Sequence, residues 1–149
     1  MLISQTAEYA LRAIVSLAER HGQSVVTQDL ARRTRIPAGY LSKILQTLRR
    51  AGLVHSQRGL RGGFVLQRAP DKISVLEVID AIEPIRRMTR CPLDLPEHAS
   101  GLCPLHRRLD EAIGQVRNTF ASFSIADLLD ESRRGVSRGL CDTVAAPAR

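Results

Sequence analysis

The sequence has no tryptophan, and aromatic side chains make up only 3% of its 149 residues, so a core has to be aliphatic. Its three cysteines are too few and too irregularly spaced for a secreted disulfide scaffold, and an odd count is typical of a reducing compartment. No apolar run approaches the ~20 residues that span a bilayer. The charged residues near the N-terminus do not fit a signal peptide. A cytoplasmic protein without a membrane partner is predicted.

Charge is divided unevenly along the chain. Residues 1–70 have 11 basic and 3 acidic side chains, whereas residues 71–149 have 11 basic and 12 acidic ones. The net charge of +7 therefore comes from the first half alone. This pattern predicts a basic module joined to a neutral one, and it favours an acidic partner such as nucleic acid for the basic module.

Periodicity predicts two helices at the start of the chain. Apolar residues recur at helical spacing after Ser4, and Gly22 is expected to end this first helix. A second, short helix is predicted from Thr27, taken as its N-cap, to about Thr34. A tight turn at Arg35 then leads to the next helix.

The third helix is predicted to have a buried face and a polar face. Pro37 is placed in its first turn, and Gly52 ends it. The residues expected to face inward are Leu41, Ile44, Leu45 and Leu48. A recognition helix needs such an arrangement, because its outer face must reach into the major groove while its inner face is anchored.

The next region predicts a β-hairpin followed by a helix. Residues 53–58 and 64–67 have strand character, and the segment 59–63 is a glycine-rich hairpin tip. A compact helix is expected over Ser74–Ile82; the residues expected to be buried in it are Val75, Val78, Ile79 and Ile82. Three helices and a hairpin in this order predict a winged helix-turn-helix, so the chain is expected to be mainly α with a small β-hairpin wing.

The second half of the chain predicts a loop and one long helix. Residues 84–101 have little periodicity, whereas apolar residues recur at steps of three and four over 102–123. That stripe is longer than one small domain covers, so it is predicted to pair with a second copy of the chain; packing back on its own domain is the alternative. We expect a DNA-binding domain (1–83), a sensor loop (84–101), a dimerisation helix with a final turn (102–132) and a tail (133–149).

The polar face of the third helix and the wing are the predicted contacts with double-stranded DNA. Small residues at the helix start allow a close approach, polar side chains in its middle can read base edges, and arginines can reach phosphates. The residues assigned to DNA binding are Thr27, Pro37, Ala38, Gly39, Tyr40, Ser42, Lys43, Gln46, Arg49, Arg50, Arg58 and Arg61.

Four runs of sequence resemble the Rrf2 family of bacterial transcription regulators. They are AEYALRA at 7–13, IPAGYL at 36–41, LRRAGLV at 48–54 and RGLRGGF at 58–64. The resemblance covers about residues 1–130. It implies a homodimeric winged-helix regulator, usually a repressor, with a long dimerisation helix and in some members a redox-active metal cluster in the loop before that helix.

The cluster-binding members of that family arrange their ligands as Cys-x5-Cys-x5-Cys, some with a histidine three residues after the last cysteine. This chain has Cys91, Glu97, Cys103 and His106 in that register, so a carboxylate replaces the middle thiol. A two-iron (2Fe-2S) cluster tolerates such ligands better than a four-iron one. The carboxylate ligand comes from Glu97 or, as the resemblance implies, from Glu8, because an acidic residue at this place in the first helix reaches across the dimer as a ligand in some relatives.

The sequence allows alternatives for the cysteines and for the partner of the winged helix. In one alternative no cluster is bound, and Cys91 and Cys103 form a thiol switch or are inert. With or without a cluster, three nearby arginines would favour the thiolate form of Cys91; they are Arg86, Arg87 and Arg90. A winged helix that binds protein instead of DNA is a further alternative, which the charge of the first half disfavours. No nucleophile–base set or nucleotide-binding glycine motif is visible, so the chain is not expected to be an enzyme.

Overall fold

A computed structural model describes residues 2–59, 62–93 and 101–134. Over these residues the chain is mainly α-helical with one two-stranded antiparallel hairpin, as predicted. The elements are α1 (Gln5–Ala18), α2 (Thr27–Thr34), α3 (Ala38–Arg50), β1 (Val54–Gln57), β2 (Gly63–Leu66), a short 3-10 turn (Pro70–Lys72), α4 (Val75–Ile82), α5 (Pro104–Ser122) and α6 (Ile125–Arg133).

The core is aliphatic and lies among α1, α2, α3 and α4. All four residues predicted for the inner face of α3 are buried. Ile14 of α1, Leu30 of α2 and Ile79 of α4 meet them with at most 1% of their surface exposed. Each fully buried side chain of this size contributes about 1.5–3 kcal/mol through removal of apolar surface from water.

The connection between α2 and α3 is the tight turn that the sequence predicts. Arg35 adopts a left-handed backbone conformation with φ 55°, and its N–H donates to the carbonyl of Ala31. The next residue, Ile36, is only 2% exposed and anchors the turn in the core. α3 is thereby held against α1 and α2 with its polar face outward.

Three predicted helix boundaries differ from the structure by a few residues. α1 ends at Ala18, because the following residues form tight turns. Gly22, with φ 85°, lies inside the last of these turns, in which the N–H of Gln23 donates to the carbonyl of Arg20 at 2.8 Å. Thr27 is already helical, so Val26 is the cap of α2; its neighbour Val25 is held extended by a bridge to β2. Pro37 caps α3 from just outside its first turn.

The hairpin is tied to the body of the domain. Val54 pairs with Leu66 and Gln57 with Gly63, and both residues of the first pair are buried. Val25 and Phe64 exchange two backbone hydrogen bonds of 3.0 and 2.9 Å. Gly63 is required at this junction, because a Cβ there would lie 2.5 Å from the backbone of Val25 and the residue has φ 156°.

The chain returns to the body after α5. Ile125 donates its N–H to the carbonyl of Ile73, and Val75 donates to that of Phe123, both at 2.9 Å. Ile125 is completely buried, so the last predicted helical turn completes the core. At the start of α4, Ser74 and Glu77 form a reciprocal capping box. Of the residues predicted to be buried in α4, Ile82 is only half-buried.

Candidate functional site

The outer face of α3 presents a polar and basic surface. Gly39, Lys43, Gln46, Arg49 and Arg50 are exposed, and Ala38 and Ser42 are half-buried. A Cβ on Gly39 would meet no neighbouring atom, so the start of the helix is open to the outside. The Ser42 hydroxyl donates to the Ala38 carbonyl at 2.9 Å, which leaves its oxygen lone pairs available as an acceptor.

Tyr40 connects this surface to α1. Its hydroxyl lies 2.6 Å from Oγ1 of Thr6, and its ring meets that of Tyr9 edge to face at a centroid distance of 5.9 Å. Gln5 donates to the Tyr9 hydroxyl at 3.0 Å. Tyr40 is 41% exposed, so it belongs both to the predicted surface and to the contact that fixes the start of α3 on α1.

Arg12 forms the centre of a second contact between helices. Its Nε donates to Glu8 at 2.6 Å, its Nη1 donates to the Thr34 carbonyl at 3.2 Å, and its guanidinium lies over the Tyr9 ring. Glu8, predicted as a metal ligand, is therefore engaged by Arg12 within its own chain. It lies apart from the cysteine site described below.

The wing contributes one described residue of the predicted set. Arg58 follows β1 and is exposed, whereas Arg61 lies outside the described residues. Pro37 is exposed at the cap of α3, and Thr27 is half-buried in the first turn of α2. The predicted DNA-binding surface therefore extends from Pro37, just before α3, to Arg58, just after β1.

A cysteine site forms where the loop after α4 meets the start of α5. Nδ1 of His106 lies 3.4 Å from Sγ of Cys91 and 3.1 Å from Sγ of Cys103, and the three donor atoms are all within 4.8 Å of one another. The cysteines are 7% and 8% exposed, and no disulfide joins them. Glu97, predicted as a carboxylate ligand, lies outside the described residues.

The start of α5 supplies the electrostatics of this site. Cys103 is the N-cap residue and His106 lies in the first turn, where the helix dipole favours negative charge. The backbone N–H of His106 and then its imidazole lower the pKa of the Cys103 thiol to about 7, and this outweighs desolvation of the sulfur. A sulfur with such a pKa is partly thiolate at neutral pH, the form that reacts and binds metals.

Arg87 fixes the loop that brings Cys91 to α5. Its guanidinium forms a two-pronged ion pair with Asp110, with distances of 2.6 and 2.5 Å. The N–H of Met88 donates to the same carboxylate at 2.8 Å. Gly114 makes room for the arginine, because a Cβ there would lie 2.9 Å from Arg87 Nη1. Of the three arginines predicted to favour thiolate at Cys91, Arg87 is thus paired with a carboxylate.

A second arginine joins α5 to α4. Arg117 donates to both oxygens of Asp80, at 3.1 and 3.0 Å, and to the carbonyl of Ile85 at 2.6 Å. Asp80 in turn accepts from the N–H of Ile85. Two arginine–aspartate pairs therefore hold one face of α5 against the end of α4 and the loop that follows it.

The apolar stripe of α5 is largely uncovered. Gly114 is the only buried residue of this helix, while Leu105 is 62% and Leu109 is 45% exposed. An apolar groove of about 300 Å³ lies beside the C-terminal end of the stripe, between Phe120 on α5 and Leu11 on α1.

Among the described residues, no helix is both long enough and apolar enough to cross a membrane.

Several residues that build these sites were not predicted. Asp80, Asp110, Gly114 and Arg117 carry no motif, and their importance comes from contacts between segments that are 23 to 37 residues apart in the chain. The spacing of Asp110, Gly114 and Arg117 places them on one helical face, which is the only available signal. Thr6 and Tyr9 were likewise predicted only as part of α1.

Comparison with known proteins agrees with this architecture. The profile of the family described as "Rrf2: Iron-dependent Transcriptional regulator" matches residues 3–131. An HTH-type transcriptional regulator of Aquifex aeolicus is 32% identical over 133 residues, which span 87% of this chain and 92% of the relative.

Two solved structures have the same fold over most of their length. IscR of T. potens matches with a TM-score of 0.75 at 25% identity, covering 92% of this chain and 93% of that one. CymR of B. subtilis, described as a global cysteine regulator, matches with a TM-score of 0.73 at 28% identity, covering 86% and 95%.

Proposed function

The chain belongs to the Rrf2 family of transcriptional regulators, whose DNA-binding role it shares, and on this premise we propose that it is a homodimeric, sequence-specific repressor. In this proposal its affinity for DNA is set by the site formed by Cys91, Cys103 and His106. The observation that carries the proposal is the exposed polar and basic face of α3, held outward by a fully buried aliphatic face.

The proposed DNA contacts divide by chemistry. Ser42, Lys43 and Gln46 lie where side chains reach base edges from a helix in the major groove. Arg49 and Arg50, in the last turn of α3, are assigned to phosphates, and such contacts would hold the protein in register on the DNA. The remaining proposed contacts lie at the start of α3, at Thr27 and in the wing: Pro37, Ala38, Gly39, Tyr40, Arg58 and Arg61.

A selection of binding sequences from random DNA, followed by gel shifts with the selected and a scrambled duplex, tests the proposal. We expect a palindromic site, because a two-fold dimer places two recognition helices one helical turn apart. Equal affinity for the two duplexes, or no shift at any salt concentration, would contradict sequence-specific binding.

The exposed stripe of α5 supports a homodimer. Two copies of the helix packed antiparallel about its middle would bring Leu105 and Leu109 of each near the apolar groove beside Phe120 of the other. Such pairing covers both stripes with one symmetric contact. It would also bring each cysteine site towards Glu8 of the partner subunit, which is how this residue enters the proposal as a ligand.

Control of DNA binding is proposed for the cysteine site because of its position. Cys91 belongs to the loop that leaves α4, and Cys103 begins the proposed dimerisation helix. A chemical change that draws these segments together or releases them alters the angle between the body and α5. Since half-sites on DNA are ~34–36 Å apart, a small rotation of each subunit misplaces a recognition helix. The two-iron cluster implied by the family would need a fourth ligand there, for which the sequence offers Glu97 or Glu8.

A thiol switch is the second candidate, favoured by the closeness of the two sulfurs. Oxidation of both thiols by a peroxide-type oxidant would form one disulfide and release two electrons and two protons. The peroxide would accept them, and its O–O bond would be broken to give water and, from an alkyl peroxide, an alcohol. Gel shifts under reducing and oxidising conditions, with the parent and a Cys91→Ala, Cys103→Ala double variant, test any sensing role of the loop. If the double variant and the parent bind DNA alike in both conditions, the site does not control DNA affinity.

A further inference from the structure

The cysteine site has the size of a site for one metal ion. In a tetrahedral site with metal–sulfur bonds of about 2.3 Å and metal–nitrogen bonds of about 2.05 Å, neighbouring sulfur and nitrogen atoms are about 3.6 Å apart and two sulfurs about 3.8 Å. The observed separations of 3.4 and 3.1 Å from His106 Nδ1 to the two sulfurs differ from that value by half an ångström or less. All three donors lie within 4.8 Å of one another.

The described donors are too few for a two-iron cluster. Each iron of such a cluster has its own pair of terminal ligands, so four donors are needed and ligands of different irons lie on opposite sides of the Fe₂S₂ unit. Among the described residues only three donors come together, and all of them lie within 4.8 Å of one another. Glu8 of the same chain is held by Arg12 at 2.6 Å instead.

The surroundings hold these donors in place without the help of a metal. Cys103 and His106 are three residues apart at the start of α5, on one side of its first turn. Cys91 is held against them because the adjoining loop is bound to α5 through Arg87 and Asp110. Both cysteine residues are buried, with 7% and 8% of their surface exposed, so a bound ion would be largely shielded from bulk water. Structural metal sites share this combination of soft donors and a preorganised, dry environment.

We infer that Cys91, Cys103 and His106 hold a single tetrahedral divalent ion of the zinc type, with the fourth position taken by water or a carboxylate. Two thiolates and one imidazole are the donor set preferred by zinc and tolerated by ferrous iron, and neither ion needs sulfide to bind there. Binding releases the remaining thiol protons to solvent and involves no electron transfer. This inference rests on the proposed regulatory role of the same site and replaces the cluster as its ligand.

Metal titration of the full-length protein tests this inference. Protein purified without oxygen, reduced and stripped with a chelator is titrated with Co²⁺, whose absorption reports tetrahedral thiolate coordination, and then with Zn²⁺. We expect one Co²⁺ per subunit, displaced by one Zn²⁺. Cys91→Ser, Cys103→Ser and His106→Ala should each abolish stoichiometric binding. His21→Ala is the matched control and should retain binding, since His21 is described and is not among the donors of the site. Cys141→Ser changes the third cysteine, which lies outside the described residues, and under this inference it should also retain binding.

Reconstitution with iron provides the opposing result. Ferrous iron without sulfide should bind with the same stoichiometry of one. Two irons and two sulfides per subunit, or failure of Co²⁺ and Zn²⁺ to bind at all, would overturn the single-ion inference. Gel shifts on the same preparations test the proposed function separately from the metal site. If DNA binding responds to an iron–sulfur cluster, the proposed regulator is supported and only the single-ion inference is contradicted. If the protein binds DNA in none of these states, the proposed function is contradicted, whereas the measured metal stoichiometry still tests the single-ion inference.

Discussion

The winged-helix body and α5 are stabilised in different ways. In the body, Leu30, Leu41 and Leu45 are completely buried within one chain. In α5, only Gly114 is buried, and leucines of its stripe are about half exposed or more. The body therefore completes its core alone, whereas α5 leaves apolar surface that a second copy of the chain would have to cover. The difference separates a core that one chain completes from a helix whose apolar face is left open for the proposed second copy.

The contacts between the two regions are mainly polar. Asp80 with Arg117 and Arg87 with Asp110 fix the direction of α5, but partly exposed ion pairs contribute only about 0–1 kcal/mol each. Such contacts define the orientation of α5 against the body, and breaking them to change that orientation costs little free energy. A site at this junction is therefore well placed to alter the angle of α5 against the body.

The largest expected effect is loss of a leucine from the body. Leu45→Ala should lower the free energy of unfolding by about 2–5 kcal/mol, because it leaves a cavity in the core. Leu105→Ala on α5 should change it by less than about 0.5 kcal/mol. Both are measured in an Ile113→Glu background, which places a charge in the apolar stripe of α5 and is expected to be monomeric. Urea denaturation followed by circular dichroism measures both. Similar costs at the two positions would remove the distinction between body and α5.

Charge in the apolar stripe should affect association instead of folding. Ile113→Glu is expected to give monomers on a sizing column and to weaken specific DNA binding by roughly 10²-fold, because the two half-sites are no longer bound by one particle. Asn118→Glu, an exposed position on the same helix, is the control and should leave the dimer intact. An Ile113→Glu protein that still migrates as a dimer would mean that copies of this chain associate elsewhere.

Substitution of a base-reading residue should affect specificity and leave association unchanged. Gln46→Ala is expected to cost roughly 1–3 kcal/mol of binding free energy on the selected DNA site and almost nothing on scrambled DNA. The measurement is a pair of gel-shift titrations at fixed salt concentration. Equal losses on both duplexes would take Gln46 out of the base-reading set.

Phosphate contacts should weaken binding to all sequences alike. Arg49→Ala is expected to reduce the slope of log affinity against log salt by ~0.9, since one fewer counterion is released. Arg61→Ala in the wing should act in the same way. An unchanged slope would indicate that the arginine does not contact the DNA backbone.

The smallest expected effect concerns the ion pair at the junction. The side-chain hydrogen bonds from Arg87 and the N–H of Met88 lower the pKa of Asp110 from 3.8 to about 2. A carboxyl whose pKa is lower in the folded protein stabilises the fold above its ordinary pKa, and this contribution is lost as the pH falls from about 4 to 2. The difference in Tm between the parent and Asp110→Asn should therefore shrink over that range. A difference independent of pH would mean that the charge of Asp110 does not stabilise the fold.

Most of the helices and the wing could be predicted from the sequence, because aliphatic periodicity and glycine positions are local signals. Leu41, Ile44, Leu45 and Leu48 could be assigned to the inner face of α3 from spacing alone, and they are buried. Exact ends were less predictable: Thr27 lies inside α2, and the extended chain before it includes Val25, which forms a bridge to the distant strand residue Phe64. The register of Cys91, Cys103 and His106 was visible, while the distances between their donor atoms were not.

The sequence by itself determined the aliphatic core, the basic first half, the polar face of α3 and the uncovered stripe of α5, since each depends on residue types at fixed spacing. Only the tertiary structure decided which charges neutralise each other and how Cys91 meets the start of α5. Arg87 and Asp110 are 23 residues apart in the chain, yet they form an ion pair, and the arginine packs against Gly114. Contacts of this kind depend on how segments pack after they have formed, and no local pattern encodes them.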